Sequence, residues 1–163
     1  MIGFLTAVAL AGKWTGEPSD IVVERQIAAP TSSVYGALVD LEALGELMPD
    51  TCVAEWVVAP PAVGPGARVT VHYTIGLVRR RLPGVLSDLQ VDRVVDLVHE
   101  GKRGFTTRWQ LEAAAEGTRV KMTTFLSAPP WPVTGPYFTR IKPAWETCQA
   151  DLLAALAGRV EPK

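Results

Sequence analysis

The stretch PYFTRIKPAWETCQADLLAAL, residues 136–156, decides the fold. Its apolar side chains recur at intervals of three or four residues, which is the spacing of one face of an α-helix. These positions are Tyr137, Ile141, Trp145, Cys148, Leu152 and Leu156. The pattern predicts a long amphipathic helix that closes the chain. Pro143 should kink this helix or delay its regular start, because proline cannot donate a backbone hydrogen bond.

Most of the chain ahead of this helix has the two-residue period of β-strands. In residues 68–75, for example, Val69, Val71, Tyr73 and Ile75 alternate with polar side chains, which gives the strand one dry face. The other predicted strands are residues 21–28, 51–58, 85–92, 94–99, 105–112 and 119–126. A run of strands followed by one long helix indicates a curved antiparallel sheet wrapped around that helix.

Residues 31–48 interrupt this pattern with helical spacing. Val34, Leu38, Leu41, Leu44 and Met48 recur every three or four residues, after the helix-start signal of Pro30 and three hydroxyl residues. Asp40 and Gly45 should break the run into two short helices.

Three fragments of the sequence, taken in order, carry a family resemblance. The first is IAAP (27–30) followed by VY (34–35) and VD (39–40), the second is LEALGELMP (41–49), and the third is RWQLE (108–112) followed by GTRV (117–120). Together they resemble the START/SRPBCC superfamily, and they are most similar to its polyketide cyclase/dehydrase and coenzyme Q-binding branches. Gly45 and Leu47 stand where the coenzyme Q-binding branch has aromatic residues.

The resemblance covers residues 20–157 and implies a fold. It implies the α+β helix-grip fold: a curved antiparallel sheet of six or seven strands around a long C-terminal helix, with two short helices after the first strand. It also implies a cavity between sheet and helix. Its known members range from lipid carriers and ligand sensors to polyketide cyclases, so the fold does not choose a function.

The length predicts one domain, residues 20–159, preceded by an apolar arm and linker, residues 1–19. Residues 2–12 are apolar, but about eleven residues are too few to span a bilayer, which takes about 20. No Lys or Arg precedes this run, as it would in a typical secretory signal. We therefore expect an arm that packs on the domain or builds a homodimer. A secretory signal that ends at Ala11 is the alternative.

Composition and charge exclude several classes of partner. The 16 basic and 17 acidic side chains give a net charge of −1, which argues against a nucleic-acid partner. Arg79, Arg80 and Arg81 are interpreted as a solvated strand end or hairpin. Cys52 and Cys148 are expected to be free thiols in a reducing cytoplasm. Neither His72, predicted to face outward, nor His99 has a partner at metal-ligand spacing, so we expect no metal and no cofactor.

The side chains expected to line the cavity come from the dry strand faces and the inner stripe of the last helix. They are Trp56, Tyr73, Thr107, Trp109, Met122, Tyr137, Trp145 and Cys148. Any one of them could simply fill core, but as a set they favour an apolar pocket of about 300–1,000 Å³ with a few polar groups.

Catalytic candidates are fewer. Tyr73 and Tyr137 could orient a ligand carbonyl or phenol, and His99 could face inward as a general base. We find no serine nucleophile elbow, paired inward carboxylates or phosphate loop.

The sequence therefore predicts a domain that binds a hydrophobic small molecule such as a lipid, an isoprenoid or a polyketide. The alternative is an enzyme, a polyketide cyclase/dehydratase of the aromatase type. A second alternative is a protein-interaction module that uses the arginine edge and the N-terminal arm.

Overall fold

A single antiparallel sheet forms the frame of the protein. The computed structural model describes residues 19–76, 78–126 and 134–163. Within them seven strands pair in the order β1-β7-β6-β5-β4-β3-β2. The strands are β1 (Ile21–Ile27), β2 (Val53–Ala59), β3 (Arg68–Ile75), β4 (Val78–Gln90), β5 (Val94–His99), β6 (Thr106–Ala114) and β7 (Gly117–Phe125). The predicted α+β helix-grip architecture is confirmed.

The helices are α1 (Thr31–Val39), α2 (Leu41–Leu47) and the long C-terminal α3 (Lys142–Val160). A π-helical turn, Tyr137–Ile141, precedes α3, and Pro143 lies in the first turn of the regular helix, so the predicted delay is confirmed. Asp40 separates the first two helices as predicted, and its carboxylate accepts hydrogen bonds from two backbone amides of α2. Gly45, in contrast, lies inside α2.

The position of Gly45 has a packing reason. A Cβ added there would meet the indole ring of Trp56, whose indole nitrogen donates to the carbonyl oxygen of Leu41 at 2.8 Å. The missing side chain thus lets β2 approach α2, and the prediction that this glycine breaks the helix was wrong.

The dry face of the sheet follows the predicted alternation. Val69, Val71, Tyr73 and Ile75 are all buried, and β3 and β5 have the predicted bounds. β4 differs, because it begins at Val78 instead of residue 85 and runs through Pro83 and Gly84. All of β3 pairs with residues 78–85 of β4, so the arginines at 79–81 belong to a paired strand.

The prediction of two free thiols was wrong. Cys52 and Cys148 form a disulfide, with their Cα atoms 6.0 Å apart and a sequence separation of 96. The fold brings them together because α3 crosses the sheet face beside the start of β2. Structural disulfides are typical of oxidising compartments, so the cytoplasmic assignment loses the support that it drew from free thiols.

Residues 1–18 lie outside the described part of the chain, so the predictions of an arm, a homodimer and a secretory signal at residues 2–12 are not tested. Within the described residues, no helix combines the length and the apolar character that crossing a bilayer requires.

Candidate functional site

An internal cavity lies between the dry face of the sheet and α3. It measures about 20 Å³, room for one water molecule. Its walls come from the loop after α2, five strands and one face of α3. The lining residues are Met48, Val53, Tyr73, Leu97, Thr107, Trp109, Met122, Trp145, Cys148, Gln149 and Leu152.

Two polar atoms in the walls of this cavity have no hydrogen-bond partner among the described residues. They are the indole nitrogen Nε1 of Trp109 and the amide oxygen Oε1 of Gln149, and both side chains are about 1 % exposed. The amide nitrogen of Gln149 donates to the hydroxyl of Thr124, whose oxygen lies 3.0 Å from that of Thr107. This hydrogen bond fixes the orientation of the Gln149 amide. The indole N–H of Trp109 remains as an unused donor beside the cavity, and Oε1 of Gln149 remains as an unused acceptor.

A cluster of aromatic rings borders the same cavity. The Trp145 ring centroid lies 5.2 Å from that of Tyr73 and 5.4 Å from that of Phe105. Phe105 stacks on the imidazole of His99 at 4.3 Å. Aromatic pairs at such separations attract one another beyond simple area burial. We call Tyr73, His99, Phe105 and Trp145 the aromatic cluster.

A buried hydrogen bond joins two members of this cluster. The Tyr73 hydroxyl oxygen lies 2.8 Å from Nε2 of His99. Burial lowers the pKa of His99 to about 4, while the Phe105 carbonyl opposes this shift without making a hydrogen bond to Nδ1. Burial also raises the pKa of the Tyr73 hydroxyl. At neutral pH the imidazole is therefore uncharged, and one hydrogen bond joins it to the Tyr73 hydroxyl, with the donor set by which ring nitrogen carries the proton.

A second, outer cleft of about 110 Å³ lies on the other side of Tyr73 and Trp145. It is lined by Tyr73, Ile75, Val78, Arg80, Leu82, Phe105, Leu126, Tyr137, Ile141 and Trp145. The Tyr137 hydroxyl donates to the carbonyl oxygen of Ser19 at 2.6 Å. Burial, with the negative charges of Asp20 and Glu146, raises the pKa of Tyr137 to about 12.

The structure brings most of the nominated residues together. Tyr73, Thr107, Trp109, Met122, Trp145 and Cys148 line the inner cavity, Cys148 as half of the disulfide. Tyr137 lines the outer cleft. Trp56 lines neither space, because its ring packs on Gly45 of α2. The free volume is also smaller than the expected 300–1,000 Å³, because the aromatic rings fill the middle of the site.

The candidate bases separate clearly. His99 faces inward and is only 2 % exposed. His72 lies one position from the inward-facing Tyr73 on β3, which places it on the outer face as predicted. Within the described residues, no group of three or more His, Cys, Asp or Glu side chains could hold a metal ion.

Among the residues at the site that the sequence analysis did not nominate, three matter for its chemistry. Gln149 lies four positions after Trp145, so helical spacing could have placed it on the inner stripe. Phe105 begins the alternation that continues through Thr107 and Trp109. Arg80 is the middle one of three arginines, and a strand must turn the middle side chain to the opposite face from its neighbours.

Comparison with solved structures gives the fold a name. No family model and no curated protein matches this chain. The solved KanY protein superposes with a TM-score of 0.73 at 16% identity, covering 88% of this chain and 97% of its own. The protein TTHA0849 from Thermus thermophilus gives a TM-score of 0.72 at 20% identity, covering 86% of this chain and 96% of its own.

A third similar structure is the Zhui aromatase/cyclase from Streptomyces sp. R1128. Its TM-score is 0.67 at 15% identity, with 86% of this chain and 92% of that one covered. The fold is the helix-grip fold. At these identities the likeness concerns the fold alone, and function has to be argued from the site.

Proposed function

We propose that this protein binds an apolar small molecule that carries a hydrogen-bonding oxygen, in the space between the sheet and α3. The observation that carries the proposal is the pair of unused polar atoms, Trp109 Nε1 and Gln149 Oε1, in an otherwise apolar cavity. Leaving a buried polar group without a partner costs about 1–3 kcal/mol. A ligand hydroxyl would relieve both costs, because it accepts from the indole and donates to the amide oxygen.

The ligand needs more room than the inner cavity has in this structure. Tyr73 and Trp145 line both spaces and thus form the wall between the inner cavity and the outer cleft. Trp145 is half-buried and follows a π-helical turn, so its side chain is the part of this wall that is least confined by packing. Displacement of the Trp145 ring would join the two spaces into one site of the size that small apolar ligands occupy.

A lipid, an isoprenoid or a polyketide would satisfy this description. All three are largely apolar molecules with one or a few oxygen atoms. Nothing in the cavity walls selects one of them, and the proposal is made at the level of this shared chemistry. Lipid carriage and ligand sensing are both compatible with it.

An enzymatic role is the second candidate, and the Tyr73–His99 hydrogen bond beside the cavity favours it. In this reading the protein is a polyketide cyclase/dehydratase, in line with its fold neighbour the Zhui aromatase/cyclase. An imidazole with a pKa of about 4 is a weak base at neutral pH, however, and general bases work best near the operating pH. The pair therefore supports orientation of a ligand oxygen better than proton abstraction, and binding is the stronger proposal.

The interaction-module alternative and the homodimer rest on the N-terminal arm and stay predictions. Sizing of the chain with and without residues 1–16 tests both. We expect the truncated protein to remain folded, because the described sheet begins at Ile21. A loss of stability or a shift from dimer to monomer would support the arm as a contact.

A binding assay tests the proposed function. The neutral fluorescent probe N-phenyl-1-naphthylamine should bind the purified protein, and 1-decanol should displace it. Replacing Gln149 with Leu removes the amide oxygen and should weaken 1-decanol binding by about three- to tenfold. The same replacement of Gln110, an exposed residue of β6, is the matched control and should leave binding unchanged.

Two results would contradict the proposal. One is the absence of probe binding both in the wild type and in a Trp145→Ala variant, in which the cavity is opened. The other is an equal loss of 1-decanol affinity in the Gln149→Leu and Gln110→Leu variants. Circular dichroism spectra establish that each variant is folded.

A further inference from the structure

The charged side chain of Arg80 faces the apolar side of the sheet. Arg80 pairs directly with Tyr73 across the β3–β4 ladder, and residues directly opposite one another in an antiparallel pair point to the same face. Tyr73 is buried against α3, so Arg80 also lies on this inner face, where it lines the outer cleft between Val78 and Leu82. Its neighbour Arg79 is exposed on the opposite face.

Arg80 has no carboxylate to neutralise it in the described part of the chain. Arg81 pairs with Glu55, and Arg68, Arg108, Arg119 and Arg159 have acidic partners of their own, but no such pair includes Arg80. Burial and, to a smaller extent, the positive charge of Arg103 lower the pKa of Arg80, so the neighbouring charge that acts on it has the same sign. A half-buried cation of this kind is costly unless an anion approaches it.

Two acidic side chains act electrostatically on a residue of the outer cleft, but neither pairs with Arg80. Asp20 and Glu146 act on the hydroxyl of Tyr137. The Asp20 carboxylate accepts a hydrogen bond from the backbone amide of Leu126, and neither acid forms an ion pair with Arg80. The cleft thus offers a positive charge among apolar walls.

We propose that the ligand of this site carries an anionic group, a carboxylate or a phosphate monoester, which Arg80 binds at the outer cleft, while the apolar part extends past Trp145 and carries the hydrogen-bonding oxygen of the proposed function into the inner cavity. The inference rests on the proposed function and narrows its ligand class to apolar anions. A guanidinium suits this role because its planar fork donates two parallel hydrogen bonds to carboxylate or phosphate oxygens. The apolar walls exclude competing water and favour a ligand that combines an anionic head with an apolar body.

Competition against bound N-phenyl-1-naphthylamine tests this inference with three ten-carbon ligands: decanoate, decyl phosphate and 1-decanol. Arg80→Gln is compared with Arg79→Gln, which removes the same charge from the next residue on the outer face. Arg80→Gln should weaken at least one of the two anions by about tenfold at low salt and leave 1-decanol unchanged. Arg79→Gln should change all three affinities by less than about twofold, and added salt should reduce the preference for the anion.

The outcomes separate the inference from the function on which it rests. Weaker binding of decanoate, of decyl phosphate or of both supports the inference, and a loss confined to one of them identifies the head group. Unchanged anion affinity in Arg80→Gln, with 1-decanol still bound, overturns the anion inference and leaves the apolar site standing. Failure of all three ligands to bind the wild type overturns both. A loss of sedimentation with anionic phosphatidylglycerol vesicles in Arg80→Gln, without a change for decanoate, would assign Arg80 to a membrane surface and overturn the inference.

Discussion

The two ends of α3 cover the same face of the sheet, but their side chains are buried to different extents. At the C-terminal end, Leu152, Leu153 and Leu156 are almost completely buried. At the N-terminal end, Trp145 is half-buried between two cavities, and a π-helical turn replaces the regular helix. The first end is buried against the sheet, while the second leaves space and unpaired polar atoms.

This difference indicates that one end of α3 stabilises the fold and that the other end is the place to look for a ligand site. The packed end supplies stability through apolar burial. The other end lowers stability, because Trp109 Nε1, Gln149 Oε1 and His99 Nδ1 are buried without hydrogen-bond partners among the described residues. Unpaired buried polar groups are uncommon in folded proteins, and their concentration near one cavity is a reason to look for a ligand there.

The disulfide should produce the largest effect on stability, because Cys148 lies between the two ends of α3 and joins the helix to the start of β2. Cys52 and Cys148 close a loop with a sequence separation of 96. In the chain-entropy account such a crosslink stabilises the native state by about 4–5 kcal/mol. Urea unfolding with and without reductant should show a loss of that order, and a Cys52→Ala/Cys148→Ala variant should be insensitive to reductant. Equal stability of the oxidised and reduced wild type would contradict this expectation.

Two tryptophans allow the same substitution to be compared at a fully buried position and at a half-buried one. Trp109→Ala removes a ring that is 1 % exposed and should lower the free energy of unfolding by about 3–5 kcal/mol. Trp145→Ala removes a half-buried ring that separates two cavities and should cost no more than about 2 kcal/mol.

Replacement of Trp145 should also change ligand binding. Trp145→Ala joins the inner cavity to the outer cleft, so it should raise the affinity for N-phenyl-1-naphthylamine, whereas Trp56→Phe, away from both spaces, should not. If Trp145→Ala cost as much stability as Trp109→Ala and lowered probe affinity, Trp145 would be a packed core residue and the wall between the two cavities would not be one that opens.

The pH dependence of stability should report the buried imidazole of the aromatic cluster. His99 has a pKa of about 4 in the folded protein and about 6.5 when unfolded. The unfolded state therefore binds the proton more readily, and the contribution of His99 is present above pH 6.5 and is lost as the pH falls towards 4. Between pH 7.5 and pH 5 this should amount to about 2 kcal/mol.

A His99→Phe variant isolates this effect from the titration of surface carboxylates. Urea unfolding at pH 7.5 and pH 5 should show a smaller acid-dependent loss of stability in the variant than in the wild type. The same pH dependence in both proteins would mean that His99 is accessible to solvent and would remove it from the closed aromatic cluster.

The periodic parts of the fold could be predicted from the sequence. Strict alternation gave β3 and β5 their bounds, and spacing by three and four residues marked α3, because burial on one face imposes these periods. The delayed start of α3 could also be foreseen from Pro143. These features depend on neighbouring residues, which is why a local pattern carries them.

The features that were missed depend on contacts between distant segments. The Cys52–Cys148 bond joins positions 96 residues apart, and no local pattern pairs them. Gly45 remains helical because Trp56 of another element packs on it. The volume of the site depends on how the rings of Tyr73, Phe105 and Trp145 fill the space between the strands and α3. Six of the eight nominated lining residues meet at one cavity, yet the sequence could not show how little space they leave.

The most direct test of ligand binding at the open end of α3 is a titration of ¹⁵N-labelled protein with 1-decanol, followed through the indole N–H signals of its tryptophans. The signals of Trp109 and Trp145 should shift in a saturable manner, the Trp109 proton downfield because its unpaired N–H gains an acceptor. The signal of Trp56, whose N–H already donates to the Leu41 carbonyl, should stay in place. A saturable shift of Trp56 with Trp109 and Trp145 unchanged would contradict binding between the sheet and α3.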